Sequence, residues 1–329
     1  MMAMFFDREK ELEELTDLVS SKPSMITFTY GPINSGKTTL LIEFSKRLPR
    51  EYIVFNINLR GRFIREEKDF IKVLFMKKEE SESIKNSYKG IPIPEGILNE
   101  ILENPFLFLE EYFEEINNSG RIPVLILDEL QVIGDLRIDD LLIYKLFNFF
   151  VRLTKELHLA HVFVATSDSL FLERVHGEAM LHGRSRFMLV DDFDERTTLE
   201  FLTSNGLSEE EAKIAWHYLG GKPSYLVDLL QRSRIRVEDY CKEALKWRTS
   251  QILDSLYTLK GRKLRKVIEL LSKFRENDEI TYGPLSEEIV WSVRNNILFA
   301  DPRERKLRPQ GRLEKHAIEL ALEKLRNNF

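Results

Sequence analysis

The sequence predicts an α/β chain: a parallel sheet sandwiched by helices, then a small helical domain, then a C-terminal winged-helix domain. Three observations predict it. Short apolar runs alternate with stretches of helical periodicity, the pattern of a parallel sheet covered on both faces. After Asp192 the strand signal fades and helical stretches follow one another. Near the C-terminus two helices lead to an apolar run, a Pro-containing turn and a basic run, which reads as a β-hairpin. The expected domains are residues 1–192, 193–250 and 251–329.

The elements follow in order. Leu12, Leu15 and Leu18 stand at helical spacing in Asp7–Val19. Met25–Tyr30 is apolar and β-prone, Gly31–Gly36 breaks it, and Lys37–Leu48 resumes as a helix. Tyr52–Ile57 is the second expected strand, Pro123–Leu127 the third, His161–Ala165 the fourth and Arg186–Val190 the fifth. Between the second and third strands Glu66–Asn118 is mainly helical, with a polar, lysine-rich stretch at Lys77–Gly90 that reads as a mobile excursion. Asp139–His158 reads as one long helix. The helical domain holds Glu195–Asn205, Glu209–Leu219 and Ser224–Leu230, broken at Gly206 and Gly220-Gly221. Ile297–Ala300, the turn Asp301-Pro302-Arg303-Glu304 and Arg305–Arg308 form the expected hairpin.

Chemistry concentrates where strands end, because ligands of parallel sheets bind at the carboxyl ends of strands. Gly31-Pro32-Ile33-Asn34-Ser35-Gly36-Lys37-Thr38 fits the phosphate-binding loop in full. Glycines let successive N–H groups turn inward, and the following helix presents its positive end. Lys37 is assigned to the β- and γ-phosphates, the Thr38 hydroxyl to Mg²⁺, and Thr39 joins the nucleotide-contacting set. The third strand ends in Asp128-Glu129, two charges that are costly to bury without a reason. Asp128 is expected to hold Mg²⁺ and Glu129 to orient and deprotonate the attacking water.

Three further assignments have plain competitors. Thr166-Ser167 follows the fourth strand, and Ser167 is preferred as a γ-phosphate sensor; capping of the helix from Asp168 competes. Arg184 and Arg186 precede the fifth strand, and Arg184 is preferred as the arginine that stabilises developing phosphate charge; a surface role competes. Gly220-Gly221-Lys222-Pro223 opens a helix and brings backbone or Lys222 toward the nucleotide, unless it is an interhelical turn. His158 and His161 flank a strand start and His176 and His182 fall in a loop; all read as structural or solvated.

At these residues the chain resembles the archaeal ATPase family within the signal-transduction branch of P-loop NTPases, relatives of the AAA+ proteins, over nearly its whole length. Phe5-Phe6-Asp7-Arg8-Glu9-Lys10-Glu11-Leu12 resembles the family's N-terminal signature, which implies that Phe6 and Arg8 lie near adenine; Asp7 stands where many relatives carry Gly. Val124–Glu129 resembles the magnesium and water-activating strand. Ser167 stands at the polar sensor, with Thr166 in place of a more usual Gly. Gly183-Arg184 resembles a Gly-Arg pair, and Gly220-Gly221-Lys222-Pro223 a Gly-Gly-x-Pro element whose Pro223 belongs to the nucleotide site. The resemblance implies an ATPase core, a helical lid and a winged helix.

Composition limits the partners. The net charge of −5 gives no whole-protein case for nucleic acid or membrane, although 16 Lys and Arg against 12 Asp and Glu leave the segment from Gln251 mildly basic. Charges interrupt every long apolar run, so no bilayer span is expected. The single cysteine, Cys241, fits a reducing, cytoplasmic setting. The expected activity is Mg²⁺-dependent ATP hydrolysis that moves the lid and winged helix, with ATP preferred to GTP because no Asn-Lys-x-Asp signal is present. A slow nucleotide-gated switch, or a DNA-binding protein licensed by ATP through Arg303, Arg305, Lys306 and Arg308, are the alternatives; a protein client is equally open, as is the oligomeric state.

Overall fold

A computed structural model describes residues 5–77, 87–93, 96–133, 137–138, 140–177, 179–232 and 234–327. The chain divides into two compact units. One comprises Asp7–Tyr30 and Lys37–Leu189; the other comprises Met1–Phe6, Gly31–Gly36 and Val190–Phe329.

The first unit is built on a six-stranded sheet. Its spatial order is Ser185–Leu189, Ile26–Tyr30, His161–Thr166, Ile122–Asp128, Tyr52–Asn58 and Ser87–Tyr88, and every pairing is parallel. Ile26–Tyr30 and His161–Thr166 are buried at every position, because helices cover both faces and leave no solvent side to alternate with. The helix Glu9–Ser20 turns Leu12, Leu15 and Val19 inward, and Lys37–Arg47 buries Leu40, Leu41 and Phe44. The core is aromatic: Phe28 meets Phe147 edge-on at 5.8 Å and Phe44 meets Phe163 at 5.5 Å. Truncating any of these rings to Ala would cost about 3–5 kcal/mol.

The register places function. Asn58 pairs with Asp128, Asp128 with Ala165, and Tyr30 with Thr166. Four strands therefore deliver polar residues to one carboxyl edge.

In the second unit Glu195–Ser204 is capped by the Asp194 carboxylate on the Thr197 N–H, and Glu209–Leu219 opens with a reciprocal Ser208–Glu211 capping box. These helices, with Pro223–Gln231 and Val237–Tyr257, pack Phe201, Leu202, Ala215, Leu226 and Tyr240 into one core. The winged helix follows: helices Gly261–Ser272 and Glu287–Arg294, a hairpin of Leu298–Asp301 and Lys306–Pro309 joined on its outer side by Ile280–Thr281, and the terminal helix Arg312–Asn327. The helix Val237–Tyr257 runs through position 250 without a break.

The sequence reading needs three corrections. The expected helix Asp139–His158 begins only at Leu142, since Asp140–Leu141 pairs with Arg137–Ile138 as strand. Its last part, Arg152–Glu156, is a wider π-helical turn, with the Thr154 hydroxyl bonded to the Phe150 carbonyl at 2.8 Å. His176 lies in the helix Ser169–Gly177 and not in a loop. Of the Lys77–Gly90 excursion, residues 78–86 lie outside the described residues, and Ser87–Tyr88 forms the edge strand of the main sheet. A two-residue strand carries too little periodicity to be seen in sequence.

Candidate nucleotide and catalytic site

The phosphate loop keeps its shape through backbone that few residues tolerate. Gly31 has φ 153°, and a Cβ there would meet the Val190 carbonyl oxygen at 2.1 Å, so only glycine fits. Asn34 and Gly36 have φ of 62° and 96°. The Ser35 N–H closes a turn onto the Pro32 carbonyl at 3.3 Å, and the helix begins at Lys37. Lys37 is buried and Thr39 exposed.

In the first unit the Thr38 hydroxyl donates to Asp128 Oδ2 at 2.7 Å, and Asn58 Nδ2 donates to the same oxygen at 2.9 Å. Burial pushes the Asp128 carboxyl above its usual range; the Thr38 hydrogen bond opposes this and the neighbouring Glu129 charge adds to it. A hydroxyl and a carboxylate in contact are the donor set a hydrated Mg²⁺ requires, so these residues fit the ion.

Glu129 is held on every side. Its backbone is left-handed, with φ 63°, a conformation that costs a non-glycine residue of order 1 kcal/mol and clusters at functional sites. Its N–H bonds to the Ala165 carbonyl at 3.0 Å. Arg60 Nη2 pairs with Oε1 and Gln131 Nε2 donates to Oε2. Gln131 Oε1 in turn accepts from the Thr166 hydroxyl at 2.9 Å. A chain of contacts thus runs from the end of the fourth long strand to the acid at the end of the third.

Several expected residues stand elsewhere. Asp168, not Ser167, caps the helix Ser169–Gly177, accepting from the N–H groups of Leu170 and Phe171 at 2.8 and 3.1 Å. Thr166, ranked behind Ser167 in the sequence, is the hydroxyl that reaches the Glu129 network. Arg184 immediately precedes Ser185–Leu189, and Ser185 pairs with Ile26. It therefore sits at the amino edge of the sheet, and since Asp128 is level with Met188 through Ala165 and Thr29, about 13 Å along the strand direction from Asp128. Its Nη1 donates to the Met180 carbonyl at 3.1 Å. Arg8 is buried and pairs with Glu11 at 2.5 Å.

In the second unit Phe6 packs edge-on against Phe201 at 5.3 Å. Pro223 opens Pro223–Gln231. The Gly-Gly pair is steric: a Cβ on Gly221 would sit 1.8 Å from the Phe193 carbonyl oxygen. Lys222 is 1% exposed, and its ammonium bonds to the Ile33 carbonyl at 3.0 Å and the Asp192 carboxylate at 3.0 Å. Burial raises the Asp192 carboxyl and Lys222 counteracts it. The Ile33 N–H donates to Gln310 Oε1 at 3.2 Å. One residue of the phosphate loop is thus held at both its N–H and its carbonyl. In the wing, Lys306 pairs with Glu279 at 2.5 Å, and Arg308 pairs with both Asp191 oxygens at 2.7 Å.

Sequence reasoning missed Asn58, Arg60, Gln131 and Gln310. Asn58 and Arg60 had a signal, polar residues just past a buried strand end. Gln310 had none, since 277 residues separate it from Ile33.

Residues 5–229 match the family described as an ATPase domain predominantly from Archaea, and 238–322 match the C-terminal domain of MJ1010-like ATP-binding proteins. An uncharacterized ATP-binding protein of Pyrococcus abyssi is 50% identical, with 97% of this chain and 99% of that one covered. Among solved structures, a Walker-type ATPase of Pyrococcus abyssi matches with a TM-score of 0.63 at 19% identity, covering 96% of each chain. The ADP form of the Aeropyrum pernix ORC2 protein matches with a TM-score of 0.52 at 12% identity, covering 100% of this chain and 96% of that one. With the phosphate-loop fold, the site at its carboxyl edge and these matches in agreement, the chain belongs to the predominantly archaeal ATPase-domain family of ATP-binding proteins.

Proposed function

We propose that this protein is a Mg²⁺-dependent ATPase that cleaves the β–γ phosphoanhydride and couples the cycle to its lid and winged helix. The observation that carries the reading is the Thr38–Asp128 contact beside Glu129 at the end of a phosphate-loop sheet. Backbone N–H groups of Gly31–Gly36 and the Lys37 ammonium bind the phosphates. Thr38 and Asp128 would hold Mg²⁺, which would supply positive charge to offset that of the phosphates. Glu129 accepts a proton from water as the water oxygen bonds to the γ-phosphorus. The bridging bond breaks, and ADP and inorganic phosphate leave. Thr166 and Gln131 orient Glu129, and Ser167 lies one residue on as a secondary polar contact. Phe6, Arg8 and Pro223 are assigned to the adenine end. The lid is assigned to residues 193–250 and the winged-helix domain to 251–329, with the helix Val237–Tyr257 shared between them, and the setting is cytoplasmic.

Binding of DNA by the wing is less favoured. Two of its four proposed cations, Lys306 and Arg308, already pair with carboxylates of the chain, and the helix Glu287–Arg294 opens with two acids, which repel phosphate. Among the described residues no helix is long and apolar enough to cross a membrane.

The test is phosphate release with and without Mg²⁺. Glu129→Gln should bind Mg-ATP as wild type does and lose about two to four orders of magnitude in turnover, while Lys37→Ala should lose nucleotide affinity itself. Wild-type turnover in Glu129→Gln would show that another group activates water. A wild type that binds ATP and turns over negligibly would favour the slow switch.

A further inference from the structure

The segment that follows the second long strand has no part in holding phosphate or magnesium, yet it touches the catalytic acid. It reads Arg60-Gly61-Arg62-Phe63-Ile64-Arg65, three cations and an aromatic ring within six residues. Phe63 is 75% exposed in a chain whose other phenylalanines mostly fill cores. A ring of this size left in water gives up the stabilisation its burial would bring. The Arg65 guanidinium lies over it at 4.2 Å, which leaves a flat, cationic platform. Arg62 and Arg65 are exposed, and the Arg60 side chain is 65% exposed although its tip reaches the nearly buried Glu129. The backbone keeps the segment close to the site: the Leu59 N–H bonds to the Asp128 carbonyl at 3.0 Å, and the Arg62 N–H turns back onto Leu59 at 3.1 Å.

We infer that residues 60–65 are a docking site for single-stranded nucleic acid, and that occupancy switches on hydrolysis by drawing Arg60 away from Glu129. The chemistry of the loop names the ligand. Arginines interleaved with an exposed ring match a strand that offers phosphates to cations and unstacked bases to an aromatic face. Duplex nucleic acid offers the phosphates but keeps its base faces stacked. The coupling is local. With Arg60 on Oε1 and Gln131 on Oε2, both Glu129 oxygens are engaged by donors, which compete with the attacking water for the same lone pairs and hold unstimulated turnover low. A phosphate of the strand competes for the Arg60 guanidinium, a bidentate match at least as good as a carboxylate. Once Arg60 leaves, Oε1 is open to water while Gln131 and Thr166 still fix the side chain.

The coupling rests on Glu129 acting as the proposed base, whereas the docking site does not, and the experiment separates them. Binding of fluorescein-labelled oligo(dT) and oligo(U) of about 20 nucleotides, longer than one binding site, is measured by anisotropy over a salt series, with ATP hydrolysis followed in parallel. The wild type should bind, and turnover should rise on binding. The Arg62→Ala/Phe63→Ala/Arg65→Ala variant should bind about 10-fold or more weakly, since one stacked base alone is worth about 5-fold or more. Its salt slope should flatten by about 1.4 for two lost phosphate contacts, its unstimulated turnover should equal wild type, and stimulation should vanish. Arg60→Ala should turn over at the stimulated rate without oligonucleotide. No binding by the wild type at low salt, or undiminished binding by the triple variant, overturns the site. Equal competition by polyglutamate at matched charge overturns the stacking assignment. Binding without stimulation in a protein that hydrolyses ATP overturns the coupling. A wild type that never hydrolyses ATP removes the proposed enzymatic reading and leaves the docking site to the anisotropy result alone.

Discussion

A buried histidine shows how one residue couples to acid stability. His161 opens its strand at 6% exposure, and its Nε2 has no partner. Burial, with the Arg186 guanidinium beside it, pushes the imidazole from 6.5 down to about 4, against a backbone hydrogen bond with Val19. A base whose folded value lies below its unfolded value stabilises the fold while it is neutral. That contribution is complete above pH 6.5 and is lost as pH falls toward 4, because the unfolded chain takes a proton that the folded chain refuses. The loss is about 3 kcal/mol. His161→Gln should therefore flatten the fall in stability across this window, read from urea unfolding at several pH values. An unaltered pH profile would show that His161 titrates alike in the folded and unfolded states.

At the scale of elements, the second unit grips the phosphate loop. Lys222 at the start of one helix donates to the Ile33 carbonyl, and Gln310 at the end of the hairpin accepts from the Ile33 N–H. Gln310 occupies a loop N–H that phosphate would otherwise use. Gln310→Ala should tighten nucleotide binding by about 2- to 10-fold, the worth of one competing neutral hydrogen bond; weaker binding in a titration would mean that Gln310 shapes the loop. Lys222 is also the buried partner of Asp192. Lys222→Met should destabilise by about 3–5 kcal/mol because it strands that carboxylate, and Lys222→Met/Asp192→Asn should recover much of the loss. Thermal unfolding in which the double variant melts no higher than the single one would assign the cost to the Ile33 contact instead.

At the scale of the whole molecule, the parallel sheet decides where Arg184 can act. It lies at the amino edge, about 13 Å along the strand direction from Asp128 at the carboxyl edge, beyond the reach of an arginine side chain in the same chain. Strand direction therefore keeps it from nucleotide bound at that edge of the same chain. What is left for a catalytic Arg184 is the nucleotide of a neighbouring copy. Arg184→Ala should then lower hydrolysis with little change in ATP binding. Mixing it with Glu129→Gln should restore partial activity, since some interfaces join an intact arginine to an intact base. Full activity in Arg184→Ala alone would leave Arg184 as the surface residue that its bond to Met180 already permits, and two inactive variants that stay inactive on mixing would overturn the role across copies.

The sequence by itself determined the parts whose causes are local. A glycine loop between a strand and a helix, an acidic pair after an apolar run, and a hairpin made of an apolar run, a turn and a basic run each follow from neighbours a few residues apart. Gly31–Thr38, Asp128-Glu129, five of the six strands of the sheet and the helices Glu195–Ser204, Glu209–Leu219 and Pro223–Gln231 were legible for that reason, whereas Val237–Tyr257 and Arg312–Asn327 were not read. Only the tertiary structure decided which polar residues meet. Asn58 joins Asp128 across 70 residues, Arg60 joins Glu129 across 69, and Gln310 joins Ile33 across 277. Strand register and direction brought Asn58 to Asp128 and Thr166 toward Glu129, and put Arg184 at the far edge. A contact between side chains distant in sequence leaves no periodicity behind; it exists only once the hydrophobic core has fixed the backbone on which both are carried.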